Sequence, residues 1–301
     1  MPYKSRTKSL ELLVLESLDT RMHLSDKDKQ YYHNLRKGYE GEKVFDALLE
    51  KQQFDCLILN DLLLKLKNTT FQIDSLVIMS GTIQFYEVKN FEGDFIYESD
   101  KLYKNEKIEV SNPLNQLNRS ESLLRQLIQS LGFNFSVKGS VVFINPEFTL
   151  YQSPLNRPFI FPTQINSYLN KLSSSSSKLH GKHKALADKL IALHMQQSPY
   201  QLLPSYDYDQ LTKGITCLSC NTFNLTLDGR YCVCKDCGHK EMVDTALLRS
   251  VKEYKLLFSN KPITTNGIHE WCKIIESKRT IRRVLEQNFK KVGIKQWAQY
   301  E

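Results

Sequence analysis

The stretch FQIDSLVIMSGTIQFYEVKN, residues 71–90, constrains the fold more than any other part of the chain. Two apolar runs flank Ser80-Gly81, a pair suited to the two-residue turn of a β-hairpin. With that loop Leu76 faces Phe85 and Asp74 faces Glu87, whereas a three-residue loop would shift the register. Strand alternation puts both acids on the face of Leu76, Ile78, Ile83 and Phe85, which marks that face as buried. Directly opposed β-carbons lie about 4.5–5.5 Å apart, and like charges so placed destabilise a sheet. Something positive must compensate Asp74 and Glu87.

Two sources of positive charge fit. Lys89 lies two residues beyond Glu87 and emerges on the same face. A divalent cation such as Mg²⁺ accepts hard oxygens from one or two carboxylates plus water. Cation and lysine together are the groups that hydrolysis of a phosphodiester requires, one lowering the pKa of a bound water and the other neutralising or orienting. The alternative without metal is a buried ion pair of Glu87 with Lys89 or a neighbour, next to a protonated Asp74.

The flanking segments build a layered domain. Residues 9–22 and 27–52 are expected to be helical, the second with Val44, Phe45, Leu48 and Leu49 on one stripe. Gly38 and Gly41 sit three apart inside it, where glycine is costly, and suggest a close backbone approach. Glu42 follows on the flank of the buried stripe and could be a third ligand or a positioning group. FDCLILN at 54–60 suits a buried strand, with short strands near 94–98 and 107–110. Asn112-Pro113 supplies a helix start whose apolar face is Leu117, Leu124, Leu127, Ile128 and Leu131. Gln116, in the first turn, could hold a water or phosphate oxygen, or make an ordinary capping or core hydrogen bond. SVVFINP at 140–146 adds another buried strand. This order predicts an α+β or α/β domain over residues 28–170.

Taken together, GYEGE (38–42), FQIDSLVI (71–78), FYEVKN (85–90) followed by Gly93, and NPLNQ (112–116) resemble the nuclease-related domain family, NERD. That family is assigned to the PD-(D/E)XK superfamily. The resemblance implies a restriction-endonuclease-like core, a central mixed sheet flanked by helices. It further implies a Mg²⁺- or Mn²⁺-dependent phosphodiesterase centre with Asp74, Glu87 and Lys89, supported by Glu42 and Gln116. Residues 1–27 resemble a helical lead-in to such a domain.

Beyond residue 170 the character changes. The serine run at 173–177 is expected to be a flexible joint within a linker-and-helix segment over 171–210, with a helix near 183–196. Five of the seven cysteines then crowd into residues 217–237. Cys217 and Cys220, with Cys234 and Cys237, form paired CxxC knuckles 13 residues apart, the spacing of a structural Zn²⁺ ribbon over 211–240. Cys232 and His239 are nearby substitutes. Four thiolates leave no open coordination position, so no catalysis is assigned to this metal.

The tail, 241–301, is expected to be a helix-turn-helix-like module with Ile268, Trp271, Ile275, Ile281, Val284 and Leu285 inward. Seven basic residues and one acid lie between 278 and 295, which accounts for most of a chain net charge of +8. Arg279, Arg282, Arg283 and Lys290 are the candidate nucleic-acid contacts, DNA being favoured over RNA by the helical pattern. A solvated amphipathic helix pair is the plainer reading. The N-terminus lacks the apolar core of a signal peptide, and no stretch is apolar enough to span a membrane, so a cytoplasmic location is the expectation.

Overall fold

The computed structural model describes residues 1–52, 55–105, 108–174, 178–294 and 298–301. The chain divides into two compact units, one formed by Met1–Ser9 with His33–Tyr200 and the other by Leu10–Tyr32 with Gln201–Glu301. The first nine residues thus pack with the unit that holds the hairpin.

Two helices, α1 (Leu10–Arg21) and α2 (Asp26–Glu50), are followed by β1 (Leu57–Leu66), β2 (Thr69–Ile78), β3 (Thr82–Lys89), β4 (Gly93–Glu98), β5 (Lys101–Lys104) and β6 (Ile108–Val110). Then come α3 (Pro113–Ser130), β7 (Ser136–Phe143), β8 (Phe148–Tyr151), β9 (Phe159–Ile160), α4 (Ile165–Ser174) and α5 (Gly181–Ala192). The first unit is an α/β structure with a mixed sheet in the order β1-β2-β3-β7-β9, antiparallel from β1 to β3 and parallel from β3 through β7 to β9. A second, four-stranded sheet has the order β6-β5-β4-β8.

Helices cover both faces of the five-stranded sheet. On one, Leu76, Ile78, Ile83 and Phe85 pack with Leu117, Leu124, Leu127 and Ile128 of α3 and with Leu186 and Leu190 of α5. On the other, Val77, Tyr86, Val88 and Val142 pack with Phe45 and Leu49 of α2 and with Ile165 and Leu169 of α4. Strand alternation assigns odd and even positions to opposite faces, which is why both runs of the hairpin read as almost wholly apolar.

Several expectations of detail need correction. Val44 is 53% exposed and stands off the buried stripe, while Asp46 is buried instead. Gly41 makes the close approach, since a Cβ there would lie 2.6 Å from Asn90 Cβ, but Gly38 has nothing within 4 Å. The helix α4 runs to Ser174, so the serine run begins inside a helix, and residues 175–177 lie outside the described residues. Phe54 and Lys107, at the starts of two expected strands, and Lys295 in the basic tail also lie outside them. The strand β5 was not expected, and it fills the gap between the two short strands that were.

The second unit continues with β10 (Leu225–Asp228), β11 (Tyr231–Cys234), β12 (Lys240–Met242), α6 (Val243–Leu257), α7 (Thr265–Cys272), α8 (Lys278–Asn288), β13 (Lys291–Val292) and β14 (Gln299–Tyr300). Its core joins Val14 and Leu18 of α1 to Leu247, Val251, Ile268, Trp271, Ile281, Val284 and Leu285. Trp271 is fully buried and Arg21 lies 4.0 Å over its ring, so it is core and no stacking platform. Arg21 also donates to Glu253 and to the carbonyls of Thr212 and Gly214, which ties α1 into this unit. Among the described residues, no helix is long and apolar enough to cross a membrane.

Candidate functional site

The hairpin has the two-residue loop, closed by the Met79 amide donating to the Thr82 carbonyl at 3.0 Å. Leu76 pairs with Phe85 and Ser75 with Tyr86, and the ladder ends there, one position short of Asp74 and Glu87. Just there β2 changes its inward register: Phe71 and Ile73 enter the same core as Leu76 and Ile78. The partner β1 does likewise between Leu59 and Leu62, where Asp61 takes φ 55°, a left-handed conformation that aspartate tolerates. Asp74 therefore sits at an irregularity in both strands, at 6% exposure, with Glu87 at 2%.

The polar contacts divide between the two acids. The Asp74 Oδ2 accepts from the Val88 amide at 2.8 Å. Lys89 Nζ, on a side chain 23% exposed, lies 2.6 Å from Glu87 Oε1 and donates to Gln116 Oε1 at 3.2 Å. The ion pair of the metal-free alternative is thus present, but it serves one carboxylate only. Gln116 is exposed, and the capping role in its turn belongs to Asn112, whose side chain accepts from the Leu114 amide.

Charge in this cluster is under-compensated. Burial pushes the Asp74 carboxyl up, against the pull of Lys89 and the Val88 amide. Burial and then Asp74 push Glu87 up to about 8. Glu42 also rises to about 8 through burial and Asp74, against Arg6. Burial by itself would lower the Lys89 ammonium, but Glu87 and Asp74 outweigh it and hold the group above its ordinary value. Asp61 adds its field to Glu42 and Asp74, and burial together with these acid–acid contacts holds Glu42, Asp74 and Glu87 toward their protonated forms despite Arg6 and Lys89.

Arg6, Asp46 and Ser75 are the members of this site that sequence reasoning missed. Arg6 arrives on an N-terminal arm that lies along the outer edge of β1, with a parallel bridge between Lys4 and Leu59. Its guanidinium donates to Asp46 Oδ2 at 2.8 Å, to Glu42 Oε2 at 2.5 Å and to the Asp74 carbonyl at 2.6 Å. Ser75 Oγ donates to Asp46 Oδ1 at 3.0 Å. The one available signal was that Asp46 lies a helical turn beyond Glu42, on the same face. Nothing in the composition of the arm singles out Arg6.

The carboxylate site suits a hard cation. Oxygen donors from two carboxylates, completed by water, satisfy Mg²⁺. Among the described residues, the one group of three or more His, Cys, Asp or Glu donors close enough for a single ion is elsewhere: Cys217, Cys220, Cys234 and Cys237, whose sulfurs all lie within 4.8 Å of one another. Glu42 is accordingly no third ligand in this geometry.

The four thiols sit on two knuckles, one before β10 and one closing β11. Cys217 Sγ lies 3.6 Å from Cys237 Sγ, and Cys220 Sγ 3.6 Å from Cys234 Sγ. The Cys237 thiol is lowered to about 7, chiefly by the His239 backbone N–H and then by Cys220. Clustered sulfur donors of this number and spacing are what a tetrahedral Zn²⁺ takes. Cys232 points into the core at 0% exposure and stays outside the cluster.

On α8 the basic candidates separate. Arg279 and Arg282 are exposed, whereas Arg283 donates to both oxygens of Asp244 at the start of α6, at 2.8 and 2.6 Å. Lys290 is exposed, and its backbone exchanges two hydrogen bonds with Glu301.

No curated protein and no solved structure matches the chain. Residues 37–144, which run from the second half of α2 to the end of β7 and contain Glu42, Asp74, Glu87, Lys89 and Gln116, match the family model of the nuclease-related domain, so the first unit carries a NERD domain.

Proposed function

We propose that this protein is a metal-dependent nuclease that hydrolyses phosphodiester bonds of nucleic acid, DNA in preference to RNA, in the NERD unit. The observation that carries the reading is the pair of acids Asp74 and Glu87, both buried with Lys89 at the end of the β2–β3 ladder, inside the matched segment. Asp74 and Glu87 would hold Mg²⁺ or Mn²⁺, which supplies a water of lowered pKa and a clamp on a phosphoryl oxygen.

The chain's own groups do the rest. The Val88 amide fixes one Asp74 oxygen, so that carboxylate is oriented before any ligand arrives. Lys89, the more exposed partner of its ion pair, reaches the solvent side and would neutralise charge developing on the phosphate. Gln116 steadies the ammonium through its side-chain oxygen. Glu42, pinned by Arg6, acts as a positioning group. Arg279, Arg282 and Lys290 would bind substrate phosphates, a role Arg283 can share only by leaving Asp244. Structural Zn²⁺ at the four cysteines would staple the ribbon.

Cleavage of single-stranded, duplex, nicked and branched oligonucleotides in Mg²⁺ tests the reading, beside Asp74→Ala. The expected result is turnover by the wild type and none by the variant; equal activity of the two would sink the site. A second reading, a nuclease-like scaffold that binds nucleic acid without cutting it, draws on the completed Glu87–Lys89 pair. Turnover in Mg²⁺ separates the two: the first reading expects turnover that EDTA abolishes, the second expects retention of a labelled duplex with no turnover before or after EDTA.

A further inference from the structure

The Arg6 fork lies between two acids, Glu42 and Asp46. Its side chain is 4% exposed, while those of Glu42 and Asp46 are 19% and 9% exposed. Both Asp46 oxygens and one Glu42 oxygen are taken up by the guanidinium. The same group donates to the backbone carbonyl of Asp74, one of the two buried acids of the hairpin. Beside it lies a cavity of about 490 Å³ whose wall includes Ser5, Arg6, Asp46 and Asn60. Asn60 is 1% exposed, and its side-chain oxygen has no hydrogen-bond partner among the described residues. With Arg6 removed, the Asp46 carboxylate and the Asn60 amide oxygen would border this space, and Glu42 would lose its counter-charge.

We infer that Arg6 is a positioning residue that acts as a built-in counter-ion: it fills the Glu42–Asp46 position with a fixed charge and so confines a divalent cation to Asp74 and Glu87. The inference rests on the proposed metal site. Arginine suits the task because it stays charged and its planar fork meets a carboxylate through two parallel hydrogen bonds. Lysine would carry the charge but only as a point, without the fork. The N-terminal arm is thereby part of the site, through the bridge that sets it on β1.

The test is Mn²⁺ binding by the full-length chain, counted by electron paramagnetic resonance of the free ion after the thiol site has been loaded with Zn²⁺, together with turnover of a nuclease substrate. Wild type should bind one Mn²⁺ and cleave. Arg6→Gln should bind two, or one of equal or greater affinity, yet cleave at least 100-fold more slowly at saturating substrate. Arg6→Lys, which keeps the charge and guards against loss of folding, should bind one ion and recover part of that turnover. One ion and wild-type turnover in Arg6→Gln would overturn the inference and leave the metal site standing, as would Arg6→Lys behaving no better than Arg6→Gln. A wild type that neither binds Mn²⁺ nor cleaves would instead remove the function on which the inference rests.

Discussion

At the scale of single residues, the site is a problem in charge. Lys89 pairs with Glu87 at 2.6 Å and acts on Asp74 only through its field, while the one hydrogen bond that Asp74's carboxylate accepts from the chain's backbone is that of the Val88 amide. Lys89→Met should therefore lower turnover by about 10²–10³-fold, the usual loss when one donor to a developing anion is removed, with substrate affinity little changed. A substrate titration checks this, and a rise in KM at constant kcat would contradict it. A separate titration concerns His194, whose Nδ1 accepts from the Leu63 amide at 3.1 Å. Burial first, and then Lys4, lowers its pKa, so the folded chain prefers the neutral ring and the unfolded chain binds the proton more readily. Its stabilisation is complete above about 6.5, the ordinary histidine value, and is lost as pH falls below that toward the lowered value. Between pH 7.5 and 5.5 the melting temperature of wild type should fall more than that of His194→Gln. The placing of Glu87 and Lys89 two apart on β3 was legible because alternation by two fixes which side chains share a face, whereas at Asp74 the alternation breaks, since Phe71 and Ile73 enter the same core as Leu76 and Ile78. Arg6 was not legible, since it meets Glu42, Asp46 and Asp74 across 36 to 68 positions of chain, where no periodicity reaches.

At the scale of elements, the two glycines of α2 have opposite meanings. Gly41 lies where a Cβ would meet Asn90 at 2.6 Å and Ile144 at 3.0 Å, so the helix can approach the end of β3 only without a side chain there. Gly41→Ala should cost about 1–3 kcal/mol through overpacking and, by moving Glu42, reduce turnover as well. Gly38 has open space around it, and Gly38→Ala should stabilise α2 by up to about 1 kcal/mol. Denaturant melts of the two variants, compared side by side, decide the matter; equal effects of the same sign would contradict this account of helix packing. The sequence could say that a close approach was needed but not which glycine made it, because that depends on where β3 ends in space. The hairpin register and the start of α3 were readable because both depend on neighbouring residues, the turn pair Ser80-Gly81 and the cap Asn112. Val44 was misjudged for the complementary reason: a helix stripe says what is apolar, and here the stripe bends to bury Asp46 for Arg6 and Ser75.

At the scale of the whole molecule, the two units have separate cores, one around the mixed sheet and one around α6, α7 and α8. The cysteine knuckles belong to the second, and the ribbon is tied to α6 by Arg249, which donates to Glu241 and to the Thr216 carbonyl. Removal of Zn²⁺ by a strong chelator should therefore lower a melting transition of the second unit and leave that of the first unchanged. Calorimetry with and without chelator reads this directly, and a shift of both transitions, or of neither, would count against it. The paired knuckles, and the choice of Cys234 over Cys232 from the two-residue gap before Cys237, were visible in spacing alone, and the core shows where the fifth cysteine goes: Cys232 is buried in it. For the proposed metal site, the most direct measurement is the anomalous difference map of a crystal soaked in Mn²⁺. A peak held by carboxylate oxygens of both Asp74 and Glu87, at about 2.1 Å as for a small octahedral ion, is the predicted result. A map with no density there, at an Mn²⁺ concentration that saturates the protein in solution, would contradict the claim that an ion is what reconciles those two buried acids.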